Sequence, residues 1–143
     1  MMHKPIVLHQ VYKLPLARLY ELLSQPSHLE AWFSPSADVE VKVLQHEFHT
    51  DGAYCLQYTD PVDGVVLVAG KFVQIEAPHL ISFTWEWQLE DVHARIPTLV
   101  TWLLKEKGEN TELTVIHESI PDADFFARHQ AGWLGALHRL EQL

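Results

Sequence analysis

The sequence is poor in the residues that carry the most recognisable chemistries. Its single cysteine, Cys55, excludes an internal disulfide framework and a cysteine-cluster zinc site, and fits a reducing compartment such as the cytoplasm. Basic residues are scarce: ten lysines and arginines against nineteen acids leave a formal net charge of −9. Phosphate recognition needs a basic patch, and so does attraction to an anionic membrane surface. Neither a nucleic acid nor a membrane is an expected partner.

Long apolar runs are also missing. The longest, Val65–Ala69, is far short of the roughly 20 residues of a membrane-spanning helix. Met1–Leu8 has neither the apolar stretch nor the cleavage site of a secretory leader, so none is expected. Glycine-rich phosphate loops are lacking, as is a nucleophile-elbow serine. Cys55 has no identifiable base. No cofactor is expected.

What the chain does have is aromatic rings and histidines. Four tyrosines, six phenylalanines and five tryptophans must be housed in a core or around a ligand. Ten histidines could move the charge from −9 to about +1 on full protonation. The 143 residues, 48% hydrophobic and 20% charged, match one globular domain spanning 1–143 with a single core.

Pro5–Lys13 reads as a first strand, with Ile6, Leu8 and Gln10 on one face. Pro15 opens a short amphipathic helix, Leu14–Ser24, through Leu16, Leu19, Tyr20 and Leu23. Pro26 opens a second, Ser27–Phe33, which Pro35 ends. The period then changes to two. Val39, Val41 and Val43 share a strand face, and Tyr54, Leu56 and Tyr58 share another after the Asp51-Gly52 turn. Asp60–Gly64 turns into Val65–Glu76, with Gly70 as a candidate bulge. Leu80–Gln88 puts Ile81, Phe83, Trp85 and Trp87 on one face. Pro97–Lys107 and Thr111–Ser119 form a hairpin around Gly108-Glu109-Asn110.

From Asp122 or Asp124 as N-cap, one amphipathic helix, Asp124–Gln142, runs roughly 28 Å. Phe126, Trp133, Leu137 and Leu140 lie on its apolar stripe. Gly132, Gly135 and Ala136 point to close approach to the sheet or to room for a cavity. The order is one strand, two short helices, six meandering strands and a long helix. This is an α+β chain whose antiparallel sheet must curl around the last helix to bury both apolar faces, leaving a space between them.

The arrangement resembles the domain named for the activator of the heat-shock-protein-90 ATPase, in the START-like (SRPBCC) superfamily. The resemblance covers about Ile6 to Leu143. It rests on Pro26-Ser27-His28-Leu29-Glu30-Ala31-Trp32-Phe33, Gly52-Ala53-Tyr54, Asp63-Gly64 and Gly70-Lys71-Phe72-Val73-Gln74-Ile75. It continues through Leu80–Trp87, Thr98-Leu99-Val100-Thr101, Glu112–His117, and Gly132-Trp133 ahead of Leu137 and Leu140. It implies the helix-grip fold and a cavity for hydrophobic or aromatic ligands. The family carries two glycines before the strand-start aromatic where this chain has Asp51-Gly52, which puts that turn in question. Members include cyclases and other enzymes, and fold alone does not choose among functions. No motif matched here carries over the activator's contact with its chaperone.

Trp32, Tyr54, Tyr58, Trp85, Trp102 and Trp133 are the candidate cavity lining, or else plain core. Parity cannot orient Trp102, because both faces of Leu99–Leu104 are apolar. His117 shares the apolar face of Leu113 and Val115. It is either a polar anchor or proton donor at the cavity, or a core histidine bonded to a neighbour. His46-Glu47-Phe48-His49 lacks the four-residue spacing of a zinc helix and reads as a solvated loop, so no metal is expected. Glu86 falls opposite Trp85, and no second carboxylate can be paired with it.

Three functions follow as expectations. The first is a module binding a small apolar or aromatic molecule. The second is a cyclase- or lyase-type enzyme with His117 as acid–base and Tyr54 or Tyr58 as donor. The third is a chaperone-interacting stress protein. A homodimer through a sheet edge is compatible with the pattern. Between Asp38 and Asp91, ten acids and two bases carry −8 of the −9, so the acidity belongs to the first strands of the meander. The more neutral C-terminal helix is then the expected cavity lid, and the histidines are expected to titrate as a diffuse surface set.

Overall fold

The computed structural model describes residues 2–143. Strand β1 (Ile6–Tyr12) is followed by helices α1 (Leu16–Ser24) and α2 (Pro26–Trp32). Strands β2 (Glu40–His46), β3 (Ala53–Asp60), β4 (Gly64–Glu76), β5 (Leu80–Trp87), β6 (Thr98–Lys107) and β7 (Asn110–Glu118) come next, then helix α3 (Ala123–Glu141). A 3-10 turn at Val92–Ala94, which the residue pattern did not announce, lies between β5 and β6.

The seven strands form one antiparallel sheet in the order β1-β7-β6-β5-β4-β3-β2. Short turns dictate the meander from β2 to β7. The first strand returns to pair along the last, with Ile6 opposite His117 and Tyr12 opposite Thr111. The sheet is open, with β1 and β2 at its edges. Helix α1 packs on β6 and β7, α2 on β2, and α3 on β1 and α2. This is the expected helix-grip α+β architecture.

Strand parity assigns the inner face. Tyr54, Leu56 and Tyr58 are buried from β3, and Ile81, Phe83 and Trp85 from β5. Val100, Trp102 and Leu104 are buried from β6, and Leu113, Val115 and His117 from β7. Alternation of this kind is what a one-sided antiparallel sheet requires.

Several local expectations are corrected. Pro15 is the N-cap of α1, not its first residue, and Pro26 itself begins α2. The β4 register shift lies between Phe72 and Gln74, not at Gly70. Gly70 instead allows close approach of β5, because a Cβ there would collide with the Thr84 backbone. Asp51 takes φ +68°, the left-handed region that Asp tolerates better than most side chains.

Asp122 caps α3, its carboxylate accepting the Phe125 N–H at 2.8 Å. That cap sets the phase of the helix. Phe125 is buried, and Phe126, expected inward, is half-buried with its ring edge-on to His3 at 5.0 Å.

The small residues of α3 serve a different neighbour from the sheet. A Cβ on Gly135 would overlap the Pro35 carbonyl, so the helix rides directly on the loop after α2. A Cβ on Gly132 would meet nothing nearer than Pro35 Cβ at 4.0 Å. Two substitutions therefore separate. Gly132→Ala gains helix propensity with no collision and raises stability by about 1 kcal/mol. Gly135→Ala makes the same propensity gain but loses about 1–3 kcal/mol net through overpacking. Urea unfolding of both variants checks the opposite signs.

Candidate functional site

A cavity of about 220 Å³ lies between α3, the loop after α2 and strands β3 to β5. Parity brings Tyr58 from β3 and Trp85 and Trp87 from β5 to its wall. Phe33 and Pro35 close it from the loop after α2, and Gly132, Trp133 and Ala136 from α3. Phe33 stacks on Trp133 at 5.5 Å, and Trp85 lies 5.6 Å from Phe33 and 6.2 Å from Trp133. Gly132 keeps α3 from filling the space it borders. Asp60, Asp63 and Arg128 belong to the same cavity. Asp63 and Arg128 are exposed, which places charge at the open end.

Of the seven candidate residues, the structure gathers Tyr58, Trp85 and Trp133 around this cavity. Tyr54 and Trp102 instead border a separate void of about 20 Å³ with Phe72 and Phe83. Trp32 is fully buried, and its indole N–H donates to the Leu22 carbonyl at 2.8 Å. His117 is fully buried and borders neither space. Phe33, Trp87 and His129 are lining residues that sequence reasoning did not single out. His129 was findable: Phe125, His129 and Trp133 recur every four residues and so share one helix face.

Most polar side-chain atoms of this wall are committed to partners within the protein. Trp133 Nε1–H donates to His117 Nδ1 at 3.0 Å. His117 is therefore protonated on Nε2, which meets Thr98 Oγ1 at 2.7 Å, and Thr98 donates onward to the Trp85 carbonyl at 2.9 Å. Trp87 Nε1–H donates to His129 Nε2 at 2.8 Å, and His129 Nδ1 meets the Phe125 carbonyl at 2.9 Å. Tyr58 donates to the Phe33 carbonyl at 3.0 Å. Tyr54 likewise donates to the Thr84 carbonyl.

Burial keeps both histidines neutral. Loss of solvation, helped by the neighbouring His129, pushes His117 down to about 3. Loss of solvation also pushes His129 down to about 4, against the opposing Phe125 carbonyl. Burial raises both tyrosines well above the ordinary phenol value.

His46 is not in a solvated loop. It ends β2 half-buried, stacks on Phe48 at 5.4 Å, and reaches the Ser24 carbonyl at 2.8 Å. Burial lowers its pKa as well. The histidines are thus not a uniform surface set, since three of them resist protonation. Among the described residues, no group of three or more His, Cys, Asp or Glu is placed to hold a metal ion. No described helix is long and apolar enough to cross a membrane.

The lowered histidine values fix the sign of a pH effect. The unfolded chain takes up these protons near pH 6.5, and the folded chain only near 3 to 4. Stability is therefore complete above about pH 6.5 and declines as the pH falls towards 4. Each histidine contributes about 1 kcal/mol per pH unit in that window. His117→Gln lowers stability by about 1–3 kcal/mol at pH 7, because its indole and hydroxyl partners lose their fitted acceptor and donor. It also flattens the decline between pH 6 and 4 relative to the parent. Chemical unfolding at a series of pH values measures both effects.

Comparison with known proteins agrees with this architecture. A protein of Chromobacterium violaceum, solved by X-ray crystallography, superposes with a TM-score of 0.85 at 24% identity, over 96% of this chain and 94% of that one. A Silicibacter pomeroyi crystal structure superposes at 0.84 with 20% identity, covering 97% and 96%. A solution structure from Arthrobacter aurescens superposes at 0.84 with 19% identity, covering 99% and 88%. At these identities the likeness is one of fold. No curated protein matches the chain in sequence. The family model for Activator of Hsp90 ATPase homolog 1-like protein matches residues 13–143, and the chain belongs to that family.

Proposed function

We propose that the chain binds one small apolar or aromatic molecule in the cavity beneath α3. The observation that carries this reading is the aromatic-walled space of about 220 Å³ between helix and sheet. Apolar cavities that stay dry are ready to take apolar guests: one of about 150 Å³ accepts benzene. A space half as large again suits a molecule of one or two rings.

The polar accounting favours binding over acid–base chemistry. A general base needs a free lone pair within reach of the substrate. The Nδ1 lone pair of His117 is held by Trp133, and the Nε2 lone pair of His129 by Trp87. The hydroxyl of Tyr58 is spent on Phe33. Asp60 caps its own turn, accepting from the Val62 and Asp63 amides at 2.7 and 3.1 Å. A cyclase or lyase using either histidine or Tyr58 would have to break one of these bonds; the carboxylate oxygens left over, Oδ2 of Asp60 and both of Asp63, lie on the cavity border with the charged residues.

A thermal-shift and native mass spectrometry screen of one- and two-ring aromatics tests the proposal. The parent protein is expected to melt several degrees higher with its best binder, in a one-to-one complex. Gly132→Leu, which extends a side chain from the cavity border, is expected to fold and lose that shift. Failure of every apolar compound to bind, or equal binding by the Gly132→Leu variant, would contradict the proposal.

A further inference from the structure

Trp85 is the one aromatic of the cavity wall whose polar atom has no partner. It is only 5% exposed, and its Nε1 is buried without a hydrogen-bond acceptor. The other indoles of the wall are satisfied, Trp87 by His129 and Trp133 by His117. A buried donor left unpaired costs about 1–3 kcal/mol, and such groups are rare in native structures. Trp102 also has an unpartnered indole nitrogen. That ring borders the void of about 20 Å³, which has no room for more than a water.

The rest of the wall constrains charge. Arg128 is 65% exposed at the open end and already meets the Asp124 carboxylate at 3.0 Å. Asp60 and Asp63 are its other charged neighbours on the cavity border. A buried anion would find no buried cation here, and an unpaired carboxylate is strongly disfavoured in an apolar site.

We infer that the cavity takes a neutral one- or two-ring molecule bearing a hydrogen-bond acceptor, such as a ketone, lactone or ether oxygen, received by the indole N–H of Trp85. The inference rests on the cavity being a ligand site and adds the class of ligand. It makes Trp85 a specificity-determining residue. The aromatic walls supply affinity to any ring of the right size, and the indole discriminates among rings by their acceptor. The nitrogen is closed off in the empty protein, so the indole turns towards the cavity as a bound acceptor gives its N–H the partner that the fold withholds from it.

A matched probe set tests this: 1-indanone, indane, and 1-indanecarboxylate as the anion. Binding is titrated by calorimetry, and the indole proton of Trp85 is followed by NMR on ¹⁵N-tryptophan-labelled protein. One net hydrogen bond corresponds to a preference of about two- to ten-fold. The expected result is indanone binding tighter than indane by that factor, a downfield shift of the Trp85 indole proton with indanone only, and no binding of the carboxylate. In Trp85→Phe, which removes part of the ring wall together with the donor, indane and indanone both bind more weakly and the indanone preference disappears. The parent's own indole resonance decides the matter if that variant does not fold. Equal binding of indanone and indane, a preference that survives Trp85→Phe, or tighter binding of the carboxylate overturns the assignment while leaving the cavity a ligand site. If neither indanone nor indane binds, the assignment and the ligand-site reading fall together.

Discussion

A seven-stranded sheet is wider than any one helix that could cover it. Six inter-strand spacings of about 4.8 Å make a face roughly 29 Å across, and a helix with its side chains is about 10–12 Å thick. Helix α3 therefore cannot bury the inner face alone. It packs on β1 and α2, while α1 and α2 take positions over β6, β7 and β2. The cavity lies where this covering is incomplete, bordered by α3, the loop after α2 and β3 to β5. The space follows from the ratio of sheet width to helix thickness, and its shape from where the helices touch.

Contacts on two sides hold α3 in place over that space. At Gly135 the helix backbone meets Pro35 with no room for a side chain. Beside it Arg139 donates to Ser34 and, at 3.1 Å, to the Ala31 carbonyl. On the other side Tyr12 donates to the Leu137 carbonyl at 2.9 Å, and Trp133 to His117. These directional bonds fix the helix more sharply than apolar packing could. With the bonds of Tyr58 to Phe33 and of Trp87 to His129, the Trp133–His117 bond occupies most of the polar side-chain atoms of the wall, which is why a chain so rich in histidine and tyrosine presents a cavity with so little free chemistry. The charges sit at its open end, in keeping with an acidic segment that begins at Asp38 and ends at Asp91.

Much of this was legible in the residues. Period-two runs such as Val39-Val41-Val43 and Phe83-Trp85-Trp87, separated by Asp-Gly turns, determine the strands and their inner faces without reference to the rest of the chain. The family resemblance supplied the helix grip. Other features depend on contacts between distant segments. Phe125 and Phe126 are adjacent aromatics about 100° apart on a helix, and only the Asp122 cap and the packing of α3 decide which is buried. Tyr54 and Tyr58 share one strand face yet border different spaces, because Phe33 and the loop behind it fall between the two. His117 was placed inward correctly by parity. Whether it met the cavity depended on Trp133, sixteen residues away, standing in front of it. Gly135 signalled close approach, but a single helix pattern cannot name Pro35 as the neighbour.

Ligand binding by this protein depends on the space beneath α3 being apolar and open to a guest. Diffraction from a crystal pressurised with xenon tests it most directly, since xenon enters apolar cavities and avoids polar, hydrated ones. An anomalous peak is expected between Phe33, Trp85, Gly132 and Trp133, with those side chains unmoved. A space closed by the chain's own side chains, or filled by ordered water that xenon does not displace, would contradict it.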